Sequence, residues 1–505
     1  MKHAAFVLLL ALCPVFAAEK PNIIVIMADD LGYGDLGCYG AKAAPTPNID
    51  RLAAEGLRFT SGYSSAATCT PTRFSLLTGT YAFRQKGTGV APPNGPALIK
   101  PGTETMASLL KKAGYATAVI GKWHLGLGDP KPDWNGELKP GPLEIGFDHC
   151  FLLPTTNDRV PQVHVDDHRV RNLDPKDPLW VDDKAPDENH PTGITHRGTL
   201  RMDWTHGHNN TIHNGIGRIG FYTGGNAARF RDEDLGDTWI KESNQWIEAR
   251  KDAPFFLFFS SHDIHVPRMP HERFQGKTTL GFRGDAIVEF DWSVGEIMKT
   301  LERLKLAENT LIVLCSDNGP VLDDGYVDGA VEKLGVHTPA GPFSGGKYSV
   351  LEGGTRTPFI TWWKGRIRPG VSDEVVCTVD LAASFAALAG VALPDDACLD
   401  SQDVLPALLG ESGAKGRDVL LQQDNNGNNF GLRMGGWKLV RMKNKGASKA
   451  VVTKKKRTDA GGTYQLYHLP DDAAESKDVG AEQPERLEAM IAKMDEIITS
   501  ARTRK

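Results

Sequence analysis

The stretch Asn22-Ile-Ile-Val-Ile-Met-Ala-Asp-Asp30 places a run of apolar residues directly before two acidic ones. Three other apolar runs have the same form, and each is followed within a few residues by polar side chains. They are residues 117–120 before Lys122 and His124, residues 255–259 before His262 and His265, and residues 311–314 before Asp317 and Asn318. In open α/β sheets the ligand site lies beyond the carboxyl ends of the strands. We therefore predict that four strands aim side chains at one crevice.

The alternation of strand-like runs with helical stretches predicts the fold class. We expect an α/β domain over residues 19–412, in which a large, mixed and mostly parallel sheet is flanked by helices. Residues 151–235 are rich in His, Asp, Arg and Gly, and we interpret them as long insertions over the mouth of the site. Residues 413–505 contain short strand-like runs at 419–422, 437–440 and 464–467 and an amphipathic helix opened by Pro484. They predict a smaller antiparallel sheet with one helix.

The charge balance and the first residues indicate where the protein works. A net charge of -5 over 505 residues gives no support for nucleic-acid binding. Residues 1–18 have the form of a secretory signal peptide, with a basic start, an apolar stretch and a small-residue cleavage site. A lipid anchor at Cys13 is the weaker alternative, because Leu12 is larger than the residue usual there. No later apolar run is long enough to cross a membrane. We expect an exported protein, periplasmic or secreted, without a membrane span.

Cys69-Thr-Pro-Thr-Arg73 stands at the start of an apolar-periodic helix. Pro71 suits the first helical turn because its φ angle is preset. A cysteine at this position faces backbone N–H donors and the positive end of the helix dipole, and both favour negative charge. On these grounds alone, Cys69 is predicted to be an activated thiol.

The spacing Cys69-x-Pro-x-Arg73 also resembles the signature of the type I sulfatases, which belong to the alkaline phosphatase superfamily. Other stretches strengthen the resemblance, and together they cover most of residues 20–370 in the family's order. They are residues 22–34, similar to its opening strand, residues 114–126, similar to its second signature, and residues 316–319, 345–347 and 352–354, similar to its later blocks. The resemblance implies an alkaline-phosphatase-like fold and a hydrolase of sulfuric esters.

The resemblance implies that a maturation enzyme acts on residues 69–73 and oxidises Cys69 to formylglycine. In the family, the hydrated aldehyde attacks sulfur and forms a covalent sulfoenzyme intermediate. Asp29, Asp30, Asp317 and Asn318 offer the hard oxygens that suit one Ca²⁺ ion, and they would also accept Mg²⁺. The resemblance adds an oxygen of the modified Cys69 to this set.

Basic residues complete the implied site. Lys122 and Lys347 match the family's sulfate-contacting lysines, and Arg73 matches the arginine that supports the formylglycine. His124 and His265 match the paired histidines, with His265 preferred to its neighbour His262 because Pro267 gives it the His-x-Pro context. In the implied cycle, His265, alone or with Lys347, protonates the departing alcohol oxygen. His124 then removes the second hydroxyl proton, so that sulfate leaves without an attack by water.

Three alternatives remain beside this interpretation. Phosphonate monoester and phosphodiester hydrolases of the same superfamily also carry formylglycine in a Cys-x-Pro-x-Arg setting. A cysteine-thiolate enzyme would use Cys69 directly, with His124 or His265 as its base, but nearby acidic residues disfavour a thiolate. A glycan-binding protein without catalysis is disfavoured because every proposed catalytic residue is present.

The substrate class follows from weaker signals. An exported sulfatase with broad polar insertions favours sulfated sugars over small sulfate esters. Residues 157–161, 218–225 and 262–268 resemble carbohydrate-directed bacterial members, which makes galactose or N-acetylgalactosamine sulfate the working hypothesis.

The cysteines that remain after the leader are too irregularly spaced for a disulfide framework or a zinc site. Cys377 and Cys398 are the pair that would close a short loop. Free, buried thiols are the preferred interpretation.

Overall fold

The structure, a computed structural model, describes residues 20–443, 457–459 and 462–504. Within those ranges the strands are β1 (Asn22–Ala28), β2 (Leu57–Tyr63), β3 (Ala116–Lys122), β4 (His149–Leu153), β5 (Val165–Asp166), β6 (Arg169–Val170), β7 (Trp180–Asp182), β8 (Ile212–His213), β9 (Ile216–Gly217), β10 (Phe221–Thr223), β11 (Phe255–Ser260), β12 (Thr310–Ser316), β13 (Phe359–Trp362), β14 (Gly370–Cys377), β15 (Val419–Gln423), β16 (Phe430–Met434), β17 (Trp437–Met442), β18 (Arg457–Asp459) and β19 (Gly462–His468). The α-helices are α1 (Pro47–Glu55), α2 (Cys69–Thr78), α3 (Met106–Lys112), α4 (Leu235–Ala249), α5 (Phe282–Arg303), α6 (Glu352–Thr355), α7 (Leu381–Ala389), α8 (Leu405–Leu408) and α9 (Pro484–Thr499).

The main sheet has ten strands, in the order β14-β2-β13-β12-β1-β11-β3-β4-β5-β6. Its central strands β12, β1, β11, β3 and β4 are all parallel, whereas β13 runs antiparallel to both of its neighbours. The four apolar runs singled out in the sequence lie in β1, β3, β11 and β12. These strands are adjacent in the sheet, so their carboxyl ends meet at one edge.

A core on each face of the sheet explains why these strands are apolar without interruption. In β1, Ile23, Val25 and Met27 join one core and Ile24, Ile26 and Ala28 join the other, because successive side chains of a strand point to opposite faces. Side chains of α2, α3 and α7 cover the first face, and those of α1, α4 and α5 cover the second. A central strand covered on both sides has no polar face.

The C-terminal sheet has five strands in the order β15-β16-β17-β19-β18, and every pairing is antiparallel. Helix α9 packs Leu487, Met490 and Met494 against it. Tyr63 and Cys377, at the ends of β2 and β14, belong to the same core. The small sheet is therefore packed directly on the edge of the large one.

The predicted fold class is confirmed, including the small antiparallel sheet with its helix. Strand β16 was not predicted from the sequence, and the predicted signal peptide at residues 1–18 lies outside the described residues. Among those residues, no helix is both long and apolar enough to serve as a membrane span. Cys377 and Cys398 are both free thiols, as are Cys38, Cys69, Cys150 and Cys315.

Candidate active site

The carboxyl ends of the central strands bring the predicted residues together. Register pairs Ala28 of β1 with Ser316 of β12, and Ser260 of β11 with Gly121 of β3. The residues that follow these positions therefore emerge side by side. Together with the first turn of α2 they form what we call the base of the site. The base consists of Asp29, Asp30, Cys69, Arg73, Lys122 and Asp317, all of them buried.

Each carboxylate of the base has its own cation. Lys122 Nζ donates to Asp29 Oδ2, and Lys347 Nζ donates to Asp30 Oδ2 at 2.9 Å. The third carboxylate, Asp317, accepts two hydrogen bonds on Oδ2 from the Arg73 guanidinium, at 3.0 and 2.8 Å. Burial raises the pKa of Asp29 and of Asp30, and the adjacent lysines oppose that rise. The pairing limits the repulsion that the bare carboxylates would otherwise experience.

Arg73 is fully buried and connects several elements of the base. Its guanidinium also donates to the Lys122 carbonyl oxygen at 3.2 Å and to the Ser260 hydroxyl. It therefore ties α2 to the ends of β3, β11 and β12. Removing it would leave Asp317 as a buried charge without its partner, which is a costly state.

Cys69 and His124 are in direct contact. The Cys69 Sγ lies 3.2 Å from His124 Nδ1, and His124 Nε2 lies 3.1 Å from the Ala91 carbonyl oxygen. Since a carbonyl oxygen only accepts, Nε2 carries the proton and Nδ1 presents a lone pair to residue 69. Burial, followed by Lys122, holds the pKa of His124 well below its usual range. The imidazole is therefore neutral and suited to act as a base toward residue 69.

The Cys69 thiol differs from the expectation of an activated thiol. Burial raises its pKa, and Lys122 only partly offsets this effect. The favourable position at the start of α2 is outweighed because the side chain is almost completely removed from water and has Asp317 and Asp29 nearby. The neutral thiol is the favoured form.

His265 faces the site with its Nε2 atom. Its Nδ1 lies 2.7 Å from the Val266 carbonyl oxygen and therefore carries a proton, while Nε2 lies 3.9 Å from Asp30 Oδ2. Burial, followed by Lys347 and Lys122, holds the pKa of His265 well below its usual range. The neighbouring His262 instead accepts a hydrogen bond from the Trp239 indole at 3.2 Å. His262 Nδ1 is therefore occupied by a core tryptophan, and its Nε2 lies 3.6 Å from Asp263 Oδ1.

The oxygen atoms at the base fit a hard divalent cation. Asp29 Oδ1 and Asn318 Oδ1 are buried, and neither has a hydrogen-bond partner. Asn318 Nδ2 donates to Asp30 Oδ1 at 2.7 Å, which orients the amide oxygen away from that carboxylate. Ligand atoms of Asp29, Asp30 and His265 lie within 4.8 Å of one another. Carboxylate and amide oxygens suit Ca²⁺, whereas an imidazole nitrogen does not.

A second group of charged residues adjoins the base, and we call it the flank of the site. It consists of Asp158, Arg159, His208 and Asp324, which the sequence analysis did not select individually. Asp158 Oδ2 accepts hydrogen bonds from Arg159 Nη1 at 2.8 Å and from His208 Nε2 at 3.0 Å. Burial raises the pKa of Asp158, but Arg159 and His265 hold it well below its usual range.

Asp324 connects the flank to the base. Its Oδ2 accepts a hydrogen bond from Lys347 Nζ at 2.8 Å, and its Oδ1 accepts one from the Tyr348 hydroxyl at 3.1 Å. Burial lowers the pKa of Lys347, but Asp30 and Asp324 together raise it well above its usual value. The acidic pair Asp323–Asp324, shortly after Asn318, is the sequence signal that would have identified this residue.

Comparison with known proteins identifies the family. The family model described as Sulfatase matches residues 21–391. An N-acetylgalactosamine-6-O-sulfatase of Bacteroides thetaiotaomicron is 46% identical over 489 residues, covering 96% of this chain and 94% of that protein. Arylsulfatase A of Homo sapiens is 34% identical over 409 residues, covering 80% of this chain and 71% of that protein.

A solved structure agrees with these matches. The matching chain comes from a study of how Bacteroides thetaiotaomicron metabolises multiple glycosaminoglycans. It superposes on this chain with a TM-score of 0.90 at 44% sequence identity. The superposition covers 96% of this chain and 100% of that chain. The chain described here therefore belongs to the sulfatase family and is an enzyme that hydrolyses sulfate esters.

Proposed function

We propose that this sulfatase removes 6-O-sulfate from N-acetylgalactosamine or galactose units of a sulfated glycan. The observation that carries the proposal is the 46% identity to an N-acetylgalactosamine-6-O-sulfatase over nearly the full length of both chains. The flank supports it, because Asp158, Arg159 and His208 place hydrogen-bonding groups of both signs beside Lys347, where sugar hydroxyls would lie. Charged groups at such positions recognise hydroxyls by paired hydrogen bonds.

A substrate panel tests this proposal. The panel contains N-acetylgalactosamine 6-sulfate, its 4-sulfate isomer, N-acetylglucosamine 6-sulfate and an aryl sulfate, with free sulfate measured by ion chromatography. We expect the 6-sulfate of N-acetylgalactosamine to have the highest kcat/KM. Faster cleavage of the aryl sulfate than of every sugar would overturn the assignment. An aryl phosphodiester in the same series measures the competing phosphodiesterase activity.

We propose that residue 69 works as formylglycine, made by a maturation enzyme that recognises residues 69–73. The hydrated aldehyde would supply one hydroxyl to attack sulfur and a second whose deprotonation releases sulfate. Mass spectrometry of the peptide containing residue 69 is the direct test. We expect the aldehyde in active preparations, and an unmodified thiol in a fully active enzyme would exclude this chemistry.

We propose that Asp29, Asp30, Asp317 and Asn318, with residue 69, hold one Ca²⁺ ion. When bound, such an ion acidifies a hydroxyl ligand and holds it toward the reacting centre. The residues of the chain have roles that their contacts support. Arg73 keeps Asp317 in place, while Lys122 and Lys347 present point charges to the sulfuryl oxygens.

Two histidines are positioned to move protons. His124 Nδ1, which presents its lone pair to residue 69, would accept the proton that leaves this residue. His265 Nε2 faces the base without a proton, so it would first take one up beside the negatively charged sulfate ester and then deliver it to the departing alcohol oxygen. Lys347 Nζ, beside both Asp30 and Asp324, is the second proton source for this oxygen.

We propose that the protein is exported to the periplasm or secreted, on the strength of the signal-like residues 1–18. Amino-terminal sequencing of the protein recovered from a fractionated host tests this. We expect a new terminus near residue 18 in the exported fraction. A full-length chain confined to the cytoplasm would contradict it.

A further inference from the structure

A buried lysine of the C-terminal sheet is paired with the segment that carries Lys347. Lys438 on β17 is fully buried, and its Nζ donates to Glu352 Oε1 at 2.8 Å. Glu352 is also fully buried and begins α6, a few residues after Lys347. We call residues 344–354 the lysine loop.

The lysine loop is attached to the active site at several points. The Lys347 amide donates to the Pro320 carbonyl oxygen at 2.9 Å, and the Gly319 amide donates to that of Gly354 at 2.9 Å. Packing around Gly319 is so close that a Cβ atom there would lie 1.8 Å from the Gly353 carbonyl oxygen. A shift of the loop would therefore move both Lys347 and the backbone next to Asn318.

Glu352 is held by a network that depends on positive charge. Its Oε2 accepts hydrogen bonds from the Tyr63 hydroxyl at 2.5 Å and from Arg356 at 3.1 Å. Burial would raise the pKa of Glu352, but Lys438, Arg356 and Arg433 lower it to about 2. The Glu352 amide donates to Glu475 Oε2 at 2.6 Å. Without Lys438, two buried carboxyl groups would face each other with less compensation, which is a strongly destabilising arrangement.

The side chain of Lys438 reaches Glu352 through a gap that only a glycine leaves open. A Cβ atom on Gly431 of β16 would lie 2.8 Å from Lys438 Cε and 2.9 Å from the Val350 carbonyl oxygen of the lysine loop. The apolar residues Val350 and Leu351 also pack against Val440 and Tyr467 of the C-terminal sheet. The ion pair, the apolar contact and the hydrogen bond to Glu475 thus hold the loop against the C-terminal part of the chain.

We propose that Lys438 is a positioning residue for the sulfatase reaction. Through Glu352 it sets the lysine loop, and through the loop it sets Lys347 Nζ against Asp30. The C-terminal sheet is then part of the catalytic apparatus, although Lys438 itself touches no reacting atom. This inference rests on the proposed function, in which Lys347 contacts the sulfate.

The first test is the Lys438→Met variant, with kcat and KM measured on the best sugar sulfate of the panel. We expect kcat per folded molecule to fall about 10- to 100-fold, because small displacements of a catalytic group have effects of this size. We expect KM to change less than about threefold, since the sugar contacts of the flank remain. The matched control is Arg417→Met, which removes another buried cation of the C-terminal part, paired with Asp380 at 2.6 Å. It should lower the thermal midpoint and leave kcat unchanged.

One further variant keeps the test decisive if Lys438→Met does not fold, and a second extends the test where it does. Gly431→Ala keeps the charge of Lys438 but places a Cβ atom against both Lys438 Cε and the Val350 carbonyl oxygen of the lysine loop, and we expect a loss in kcat of about 3- to 10-fold. The double variant Lys438→Met with Glu352→Gln removes the unpaired buried charge, so its kcat should exceed that of Lys438→Met several-fold wherever both fold.

The outcomes separate this inference from the proposed function. Wild-type kcat in folded Lys438→Met or in folded Gly431→Ala would overturn the inference. An equal loss in Arg417→Met would also overturn it, because the effect would then reflect general loosening. A wild-type enzyme that released no sulfate from the 6-sulfated sugars would instead refute the proposed function.

Discussion

The base and the flank of the site are built in different ways. The base comes from the ends of neighbouring parallel strands and the first turn of α2, and the side chains of Arg73 and Lys122 have no solvent exposure. The flank comes from loops, and the side chains of Arg159 and Asp324 remain 18% and 15% exposed. Sheet register holds the base in one arrangement, whereas loops can change without disturbing the sheet. Under the proposed function, we therefore expect the base to perform the reaction and the flank to select the substrate.

The base is also balanced in charge before any metal binds. Asp29, Asp30 and Asp317 are paired with Lys122, Lys347 and Arg73, respectively. Asp30 of the base has a left-handed backbone with φ of 60°, and so does His124, which contacts the base, with φ of 54°. Such conformations cost about 1–3 kcal/mol each and persist where the surrounding structure holds them. The pairs and the packed strands supply that support.

The largest effect should come from removing the base's nucleophile. Cys69→Ala is expected to lower kcat at least about 10⁴-fold for sugar and aryl sulfates alike, because no other group replaces the attacking oxygen. Free sulfate measures the loss, and thermal unfolding checks the fold. Cys398→Ala, at another buried thiol, is the control and should keep full activity. Appreciable turnover of either substrate by Cys69→Ala would contradict the expectation that the base performs the reaction.

Removing the metal should abolish most of the activity while leaving the protein folded. A chelator is expected to lower activity at least about 100-fold on every substrate, with recovery on adding Ca²⁺. Because each carboxylate keeps its cation, the metal-free protein should still unfold cooperatively, at a somewhat lower midpoint. Calorimetry with and without chelator provides the measurement. Full activity after exhaustive chelation would contradict a metal role for the base.

A change at the flank should depend on the substrate. Asp158→Asn leaves Arg159 and His208 without their counter-charge, and we expect kcat/KM for the 6-sulfated sugar to fall about 10- to 100-fold. Turnover of an aryl sulfate should change less than about threefold. Asp203→Asn, an exposed position of the same insertion paired with Arg197, is the matched control. Equal losses on sugar and aryl sulfates would show that the flank takes part in the chemistry itself.

The smallest effect concerns stability rather than turnover. Burial lowers the pKa of His213 to about 4, with Arg218 adding to the effect, while an unfolded histidine titrates near its ordinary value. Below the ordinary value the unfolded chain takes up more protons, so stability is lost as pH falls toward about 4. Glutamine can keep both contacts of His213, with the Phe230 carbonyl oxygen and the Tyr222 hydroxyl.

His213→Gln should therefore reduce the acid-induced loss, by at most about 1.4 kcal/mol per pH unit over that window. Denaturant unfolding at a series of pH values from about 7 to about 4 measures how the free energy of unfolding changes with pH. The control is His206→Gln at an exposed histidine, which should leave the slope as it is. An unchanged slope in His213→Gln would mean that this histidine is not kept neutral by the fold.

Much of the fold was predictable because it rests on local patterns. The four apolar runs of the sequence are β1, β3, β11 and β12, and burial on both faces is what makes such strands uniformly apolar. The amphipathic pattern after Pro484 identified α9. Strand β16 was missed, since Phe430-Gly-Leu-Arg-Met434 is short and includes a glycine. A glycine is needed at position 431 because the Lys438 side chain passes directly over it, and only the three-dimensional structure shows this contact.

The sequence by itself determined the strand-end part of the base, Asp29, Asp30, Lys122 and Asp317, because residues at the carboxyl ends of adjacent parallel strands emerge at one edge of the sheet. The tertiary structure decided the flank and the link from Lys438 to Glu352, whose partners are brought together by loops and by docking of the C-terminal sheet. It also decided the burial of Cys69, which raises the pKa of a thiol that the start of α2 alone would lower. Local patterns specify which side chains follow a strand, whereas desolvation and long-range pairing depend on everything that packs around them.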